Sequence, residues 1–336
     1  MNVTTGPGED LAGGPAPEVV TCGEAMLLMV AEPGVPLDRA VAFRRSVAGA
    51  ESNVAAGLAR LGHRTRWIGR VGDDPAGRAV LSQLRADGID VAYADVDAEA
   101  PTGLLLRDSH PARAIDVQYY RAGSAASRLS SGALRPEMVD GARLVHLTGI
   151  TPMLSQDAHL ATVRLMELAR EAGAAVSFDP NIRLRLAPPD RWRAVVAPLL
   201  RRADLVLAGA DELDLLNGGD GDPGGAVDRL LASGVTGVVV KHRDKSASYT
   251  TAARTWGPQP AHPVPLVDPV GAGDAFAAGF LSGWLRNVPY DRALAEAAAV
   301  AALAVQCVSD VDGLPDRTGL ARALAGFGGA RETVHR

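Results

Sequence analysis

Short apolar runs alternate with amphipathic stretches along almost the whole chain, and this rhythm constrains the fold more than any other property of the sequence. "EVVTCGEAMLLMV" (18–30) has the composition of a buried strand. "ESNVAAGLARLG" (51–62) follows at helical spacing and ends on Gly62, suited to the left-handed residue just past a helix. "RTRWIGRVG" (64–72) reads as a strand and "AGRAVLSQLRADG" (76–88) as a helix closed by Gly88. Beyond residue 140 the strands fall at 143–149, 174–181, 204–209 and 237–242, with helices near 155–173, 191–203 and 225–234 between them. The stretch 246–251 reads as a late strand paired with 237–242, and helices at 274–286, 292–307 and 317–326 close the chain. Such alternation implies an α/β fold with a doubly wound, mostly parallel sheet covered on both faces.

Two runs break the rhythm. "TGLLLRDS" (102–109) and "AIDVQYYRAG" (114–123) are strand-like but too polar for a central parallel strand. They suit a small β flap, a lid joined by the segment near 36–47. The organisation expected is one domain over 18–330 behind a flexible tail at 1–17, since "MNVTTGPGEDLAGGPAPE" has neither the basic leader nor the apolar core of a secretory signal. The longest apolar run, "AAAVAALAV" (297–305), is too short to span a bilayer. No membrane partner is expected, and the cytoplasm is the expected location. The formal net charge is −5, and the basic residues are scattered among acids rather than drawn into a stripe, which argues against nucleic-acid binding. Two cysteines support neither a disulfide framework nor a thiolate metal site. The glycines and aspartates of "NGGDGDPGG" (217–225) suit turns without any ligand.

"DPVGAGDAFAAGF" (268–280) carries the chemistry. If the loop curls into a helix start, the backbone N–H groups of Gly271, Ala272 and Gly273 converge on one point and the helix adds its positive end. That is an anion cradle, and it matches neither a Walker-type loop nor GxGxxG. Asp274 directly behind it has two readings on spacing alone. It is a helix-capping residue, or it accepts the proton of a hydroxyl attacking a phosphoryl group.

The same stretch resembles the C-terminal signature of the ribokinase-type (PfkB) carbohydrate kinases, and "AGAESNVAAGLARLG" (48–62) with "IGRVGDDPAGR" (68–78) resembles their N-terminal signature. The resemblance implies a ribokinase-like fold, ATP and Mg2+ as cosubstrate and ion, Asp274 as catalytic base, and Gly271, Ala272 and Gly273 as the anion hole. Within the family the sequence is most similar to the 2-keto-3-deoxygluconate kinases. "GAESN" (49–53) then supplies Gly49 and Asn53 to the sugar, and "QYYRAGSAAS" (118–127) supplies Tyr119 and Arg121 from the flap. "FDPNIRLRL" (178–186) supplies Arg183 to the acid and Asn181 to the nucleotide phosphates. Arginine offers a planar fork that fits a carboxylate, although most of the 32 arginines among 34 basic residues must simply be solvated. Asp310 takes the place of a second acidic residue facing the sugar, or is a turn residue before Asp312-Gly313. Glu212 matches a glutamate linked to magnesium through water, or is an ordinary helix-start residue.

Three positions depart from the family pattern. The nucleotide loop expected as Lys-x-Gly-x-x-Gly reads "KHRDKSAS" (241–248), with Arg243 and Ser246 at the glycine places. The nucleotide contacts implied there are His242, Arg243, Lys245 and Ala247, together with Gly271 and Gly273. Leu105 stands where the sugar-acid kinases often carry a tyrosine, and Ala298 where a nucleotide-contacting asparagine is common. The resulting expectation is an ATP-dependent sugar-acid kinase acting on a primary hydroxyl. The alternatives are a fructose- or ribose-class kinase of the same type, or a kinase-like sugar-acid-binding protein without turnover. A nicotinamide oxidoreductase lacks its fingerprint after the first strand. By analogy the flap offers a homodimer surface. Whether a monovalent cation is required is not encoded in these motifs.

Overall fold

The computed structural model describes residues 16–110, 112–219 and 221–328. Residues 1–15 of the expected tail lie outside them. Among the described residues fourteen strands run, in chain order, β1 (Val19–Cys22), β2 (Met26–Ala31), β3 (Phe43–Ala48), β4 (Thr65–Ile68), β5 (Arg70–Gly72), β6 (Asp95–Asp97) and β7 (Leu104–Arg107). They continue as β8 (Val117–Tyr120), β9 (Leu144–Thr148), β10 (Ala175–Asp179), β11 (Leu205–Gly209), β12 (Gly237–Lys241), β13 (Ala247–Thr250) and β14 (Thr255–Gln259).

The main sheet has eight strands in the order β14-β13-β12-β11-β10-β9-β1-β4. From β12 to β4 every pairing is parallel, and β13 and β14 close one edge as antiparallel strands. The parallel strands are mostly apolar because helices cover both faces, with polar residues such as Asp179 and Lys241 at their ends. β1, "VVTC", and β9, "LVHLT", are buried at every position. One face packs Phe178 and Trp192 among the helices Gln156–Glu171, Pro189–Leu200 and Pro223–Ala232. The other face packs the helices Ala50–Arg60, Ala272–Leu285 and Tyr290–Ala304 around Leu58 and Phe280. The last two of these approach so closely that a Cβ on Gly279 would lie 2.7 Å from the Ala297 Cα. Among the described residues no helix is long and apolar enough to cross a membrane.

The expected flap is a four-stranded sheet, β3-β2-β7-β8. Its central strand β2 pairs antiparallel with β3 and parallel with β7, and β7 pairs antiparallel with β8. Here the structure corrects the sequence reading. The run 18–30 is not one strand, because the chain leaves the main sheet at Gly23–Ala25 and continues as the centre of the flap. Of the segment near 36–47, only Phe43 onward is strand, and Leu37–Arg39 is a short 3-10 turn. The run 64–72 also divides, since β5 pairs with β6 in a separate two-stranded ladder. The helix expected near 155–173 is Gln156–Glu171, capped by Ser155, which accepts from the Ala158 N–H (3.0 Å), and a short helix not read in advance, Ile150–Leu154, precedes it. β14 and β6 carry too little apolar pattern to be read in advance.

Connections from β1 run to β4 on one side, and the chain later enters β9 on the other, so the winding reverses beside β1. The crevice outside the carboxyl ends of the strands at such a reversal is where α/β sheets place ligands. Glu24 follows β1, Asn181 follows β10, and Asp179, Gly209 and Lys241 are the last residues of β10, β11 and β12. All lie at this edge.

Candidate active site

Asp274 is the third residue of the helix Ala272–Leu285, and its carboxylate is where three segments meet. Asn53, in the first turn of the helix Ala50–Arg60, donates from Nδ2 to Asp274 Oδ2 (2.8 Å) and more weakly to Asp310 Oδ2 (3.4 Å). Asn181 donates from Nδ2 to Asp274 Oδ1 (3.3 Å). Asn181 itself has φ 45, and its N–H donates to Asp179 Oδ1 (2.9 Å), a local turn that Asn tolerates better than other side chains. Burial pushes the Asp274 pKa up to about 7; the Asn53 hydrogen bond and the Arg183 charge pull it down, while the Asp179 and Asp310 carboxylates push it further up. A carboxylate so placed exchanges its proton near neutral pH, as a general base must.

The cradle before it is built on Gly271. This residue has φ +81, and a Cβ there would lie 2.6 Å from the Asp310 carbonyl oxygen, so conformation and space both require glycine. The Ala272 N–H donates to the Pro269 carbonyl at 3.4 Å, a bond long enough to yield to a better acceptor. A fixed positive charge stands beside the cradle, because Lys241 Nζ is 3.8 Å from where a Gly273 Cβ would be. Lys241 also donates to Asp179 Oδ2 (2.8 Å). Burial works against its charge, but Asp179 and Glu212 outweigh that and hold its pKa above the usual lysine range. Glu212 accepts from the Ile182 N–H and the Gly209 N–H, both at 2.7 Å, and burial with the neighbouring Asp179 carboxylate raises its pKa.

These groups open onto one cavity of about 740 Å3, roofed by the flap through Leu105, Val117 and Tyr119. Its wall holds further charges. Arg107 donates from Nη2 to Asp310 Oδ1 (3.0 Å) and from Nη1 to Asp268 Oδ2 (2.6 Å). Glu24 is ion-paired with Arg121 and accepts from Ser124 Oγ (3.3 Å). Glu51 accepts from the Thr148 and Thr151 hydroxyls, both at 2.7 Å on Oε1, and burial raises its pKa.

A family model described as "pfkB family carbohydrate kinase" matches residues 16–317. The chain belongs to the pfkB family of carbohydrate kinases. It is an enzyme that transfers phosphoryl groups to alcohols. It is 38% identical over 320 residues to the 2-dehydro-3-deoxygluconokinase of Bacillus subtilis, covering 95% of this chain and 97% of that one. It is 34% identical over 266 residues to fructokinase-1 of rice, covering 78% and 81%. A solved structure from E. coli, described as a ribokinase II in complex with ATP and Mg2+, superposes with a TM-score of 0.85 at 26% identity, covering 92% of this chain and 99% of that one.

In this pfkB kinase most residues singled out from sequence come together. Gly49, Asn53, Tyr119, Arg121, Asn181, Arg183, Glu212, Asp310 and the run Gly271–Asp274 all line the cavity. Gly49 contributes only backbone, and a Cβ there would collide with the Glu24 carbonyl. Arg121 departs from expectation, since its guanidinium is held by Glu24 rather than presented freely to a ligand. The nucleotide loop also departs. His242, Arg243, Lys245 and Ala247 do not line this cavity. His242, Arg243 and Lys245 are in the β12–β13 turn, closed by His242 N–H to the Ser246 carbonyl (2.8 Å), and Ala247 begins β13. His242 is hydrogen-bonded to Ser248 Oγ (2.9 Å), Arg243 is paired with Asp211, and the Ala247 side chain is in the core. Among non-glycine residues of this turn only Lys245 takes a positive φ (67), so Arg243 and Ser246 cause no backbone strain where relatives carry glycine. Sequence reasoning missed Glu24, Glu51, Arg107, Asp179, Lys241 and Asp268 as charged groups of this site. Glu24 and Arg107 carry no local pattern, whereas Glu51, Asp179, Lys241 and Asp268 stand inside stretches already singled out and become charged partners only where the fold brings those stretches together.

Proposed function

We propose that this kinase transfers the γ-phosphoryl group of ATP to a primary hydroxyl of 2-keto-3-deoxygluconate (2-dehydro-3-deoxygluconate) or a closely related sugar acid. The observation that carries the reading is a cationic stretch of the cavity wall, whose Arg183 charge also acts on the base. Arg183 and Arg185 line the cavity, and among the described residues neither is ion-paired; their guanidinium groups donate only to the backbone carbonyls of Ile182 and Val117. A substrate carboxylate matches that charge and geometry. The similarity to the Bacillus subtilis enzyme supports the same acceptor.

In this scheme the acceptor hydroxyl gives its proton to Asp274 while its oxygen forms the new bond to phosphorus and the bond from phosphorus to the ADP oxygen breaks. Asn53 and Asn181 orient the carboxylate. Negative charge on the transferring group meets the N–H groups of Gly271–Gly273, the positive end of their helix, and Lys241. Among the described residues no three His, Cys, Asp or Glu side chains form a metal cage. Glu212 and Asp179, both on the cavity wall, would hold a nucleotide-borne Mg2+ through its waters. When bound, Mg2+ supplies neutralisation of phosphate charge. The half-exposed Leu27 and Leu104 and the exposed Tyr120 on the outer flap face support a homodimer through that surface.

A fructose-class acceptor is the second reading, favoured by Leu105, which gives the roof an apolar side chain above the sugar. A coupled ADP-release assay with ATP and Mg2+ tests both, using 2-keto-3-deoxygluconate, its galactonate epimer, fructose and ribose. Turnover confined to the keto-acids is expected. Turnover on fructose or ribose overturns the acid reading, and binding of the acid without ADP release points to a kinase-like binding protein.

A further inference from the structure

Arg107 is a cation buried inside the catalytic half of the molecule, although its strand belongs to the flap. Its side chain is 2% exposed, and it lies between two carboxylates on different segments, Asp268 and Asp310, that are themselves 0% and 7% exposed. Each leads to a different part of the chemistry. Asp268 opens the cradle loop, and its second oxygen, Oδ1, accepts the N–H of Val270 (3.0 Å), the residue before Gly271. Asp310 accepts from Asn53, whose amide also holds Asp274, and the Asp310 backbone packs against Gly271.

We infer that Arg107 is the positioning residue that registers the flap against the phosphoryl-transfer machinery, holding the cradle through Asp268 and the base through Asp310 and Asn53. The inference rests on the kinase reading of the site, not on which acceptor it takes. The guanidinium fork is what the arrangement needs, because its two terminal nitrogens face different carboxylates along fixed directions. An ammonium keeps the charge but presents one point, so it satisfies one carboxylate well and the other poorly. Arg107 also closes the flap sheet onto the core. It is paired with Val30 in β2 and Val117 in β8, so a shift of the flap moves the guanidinium and both carboxylates with it.

The test uses the full chain with Arg107→Lys and with Arg107→Met/Asp268→Asn, which removes both charges of that pair and leaves Asp310 held by Asn53 alone. Two readouts are taken. In the ADP-release assay, on whichever acceptor the wild type uses, both variants should lose about 10- to 100-fold in kcat, with KM for ATP and acceptor changing far less. In hydrogen–deuterium exchange, the amides of residues 270–274 should exchange about tenfold faster or more than in the wild type, while those of β9 and β10 stay protected. Wild-type kcat in the doubly neutral variant would overturn the inference, because a pair that merely stabilises the fold is dispensable once both charges are gone. Unchanged exchange at 270–274 in Arg107→Lys would overturn it as well. The exchange readout needs no acceptor, so a mistaken substrate assignment and a mistaken role for Arg107 give different results.

Discussion

Arg121 and Glu24 form an ion pair inside the cavity wall, with side chains 12% and 2% exposed, and the guanidinium leans over the Tyr119 ring at 5.0 Å. Burial raises the Glu24 pKa while Arg121 opposes that rise. A guanidinium held this way answers a protein carboxylate first. On the proposed function, the anionic end of an acceptor would meet Arg183 and Arg185 instead, and Arg121 would act by holding Glu24 in place.

Arg121→Ala should therefore behave as a stability variant. It leaves Glu24 buried and unpaired, and the expected loss is about 3–5 kcal/mol. Urea unfolding measures it. Adding Glu24→Gln to Arg121→Met should restore most of the loss, whereas an equal loss in the double variant would mean the pair is not what holds this wall.

Arg183→Ala should separate acid from neutral acceptors. Removing a charged hydrogen bond of about 1.5–3 kcal/mol raises KM for the keto-acid roughly 10- to 100-fold. Any turnover on fructose should be unaffected. Steady-state kinetics on both acceptors give the answer, and an equal effect on both would place Arg183 at the nucleotide rather than at the acid.

Asp274→Asn should lower kcat by about 10²–10⁴-fold, the usual contribution of a general base, with acceptor binding retained. Single-turnover ADP release and calorimetric titration with the keto-acid distinguish loss of chemistry from loss of binding. A variant with wild-type kcat would reduce Asp274 to a helix cap.

The raised pKa of Asp274 sets a pH dependence whose sign differs for activity and stability. The base must be ionised, so kcat should rise with pH and level off above about 7. The folded state holds a proton that the unfolded chain has already lost above the ordinary aspartate pKa of 3.8. Its contribution to stability is complete below that value and disappears as pH rises toward about 7. Melting curves of the wild type and Asp274→Asn between these limits should converge at the acid end and diverge toward neutrality.

Gly271→Ala should damage both fold and chemistry. The substitution imposes a left-handed conformation on alanine and drives its methyl into the Asp310 carbonyl, a cost of about 1–3 kcal/mol for the conformation alone. Thermal melting reports the first effect, and kcat the displacement of the cradle.

Much of this was legible in the chain because the relevant signals are local. The buried strands, their caps and the GAGD run each declare themselves within a dozen residues, and Asn53, Asn181 and Asp274 sit in stretches with recognisable spacing. What escaped is what depends on where strands end. Nothing around Lys241 or Asp179 marks them as partners until β10 and β12 lie in one sheet with β11 between them. The division at Gly23–Ala25 was hidden for a similar reason. β2 is as apolar as β1, since it is central in the flap as β1 is in the main sheet, and composition does not tell one sheet from another. Arg121 was rightly placed on the cavity, but its partner lies 97 positions away.

The flap draws its four strands from three stretches, residues 26–48, 104–107 and 117–120, with the first helix and the β4–β6 region threaded between them. It is thus not a module in the evolutionary or engineering sense. No single splice removes it, and a graft meant to import another acceptor preference would need to carry strands on both sides of an intact core helix. Changes in acceptor choice in this architecture are accordingly easier to reach one side chain at a time, at positions such as Leu105, than by exchange of a cassette.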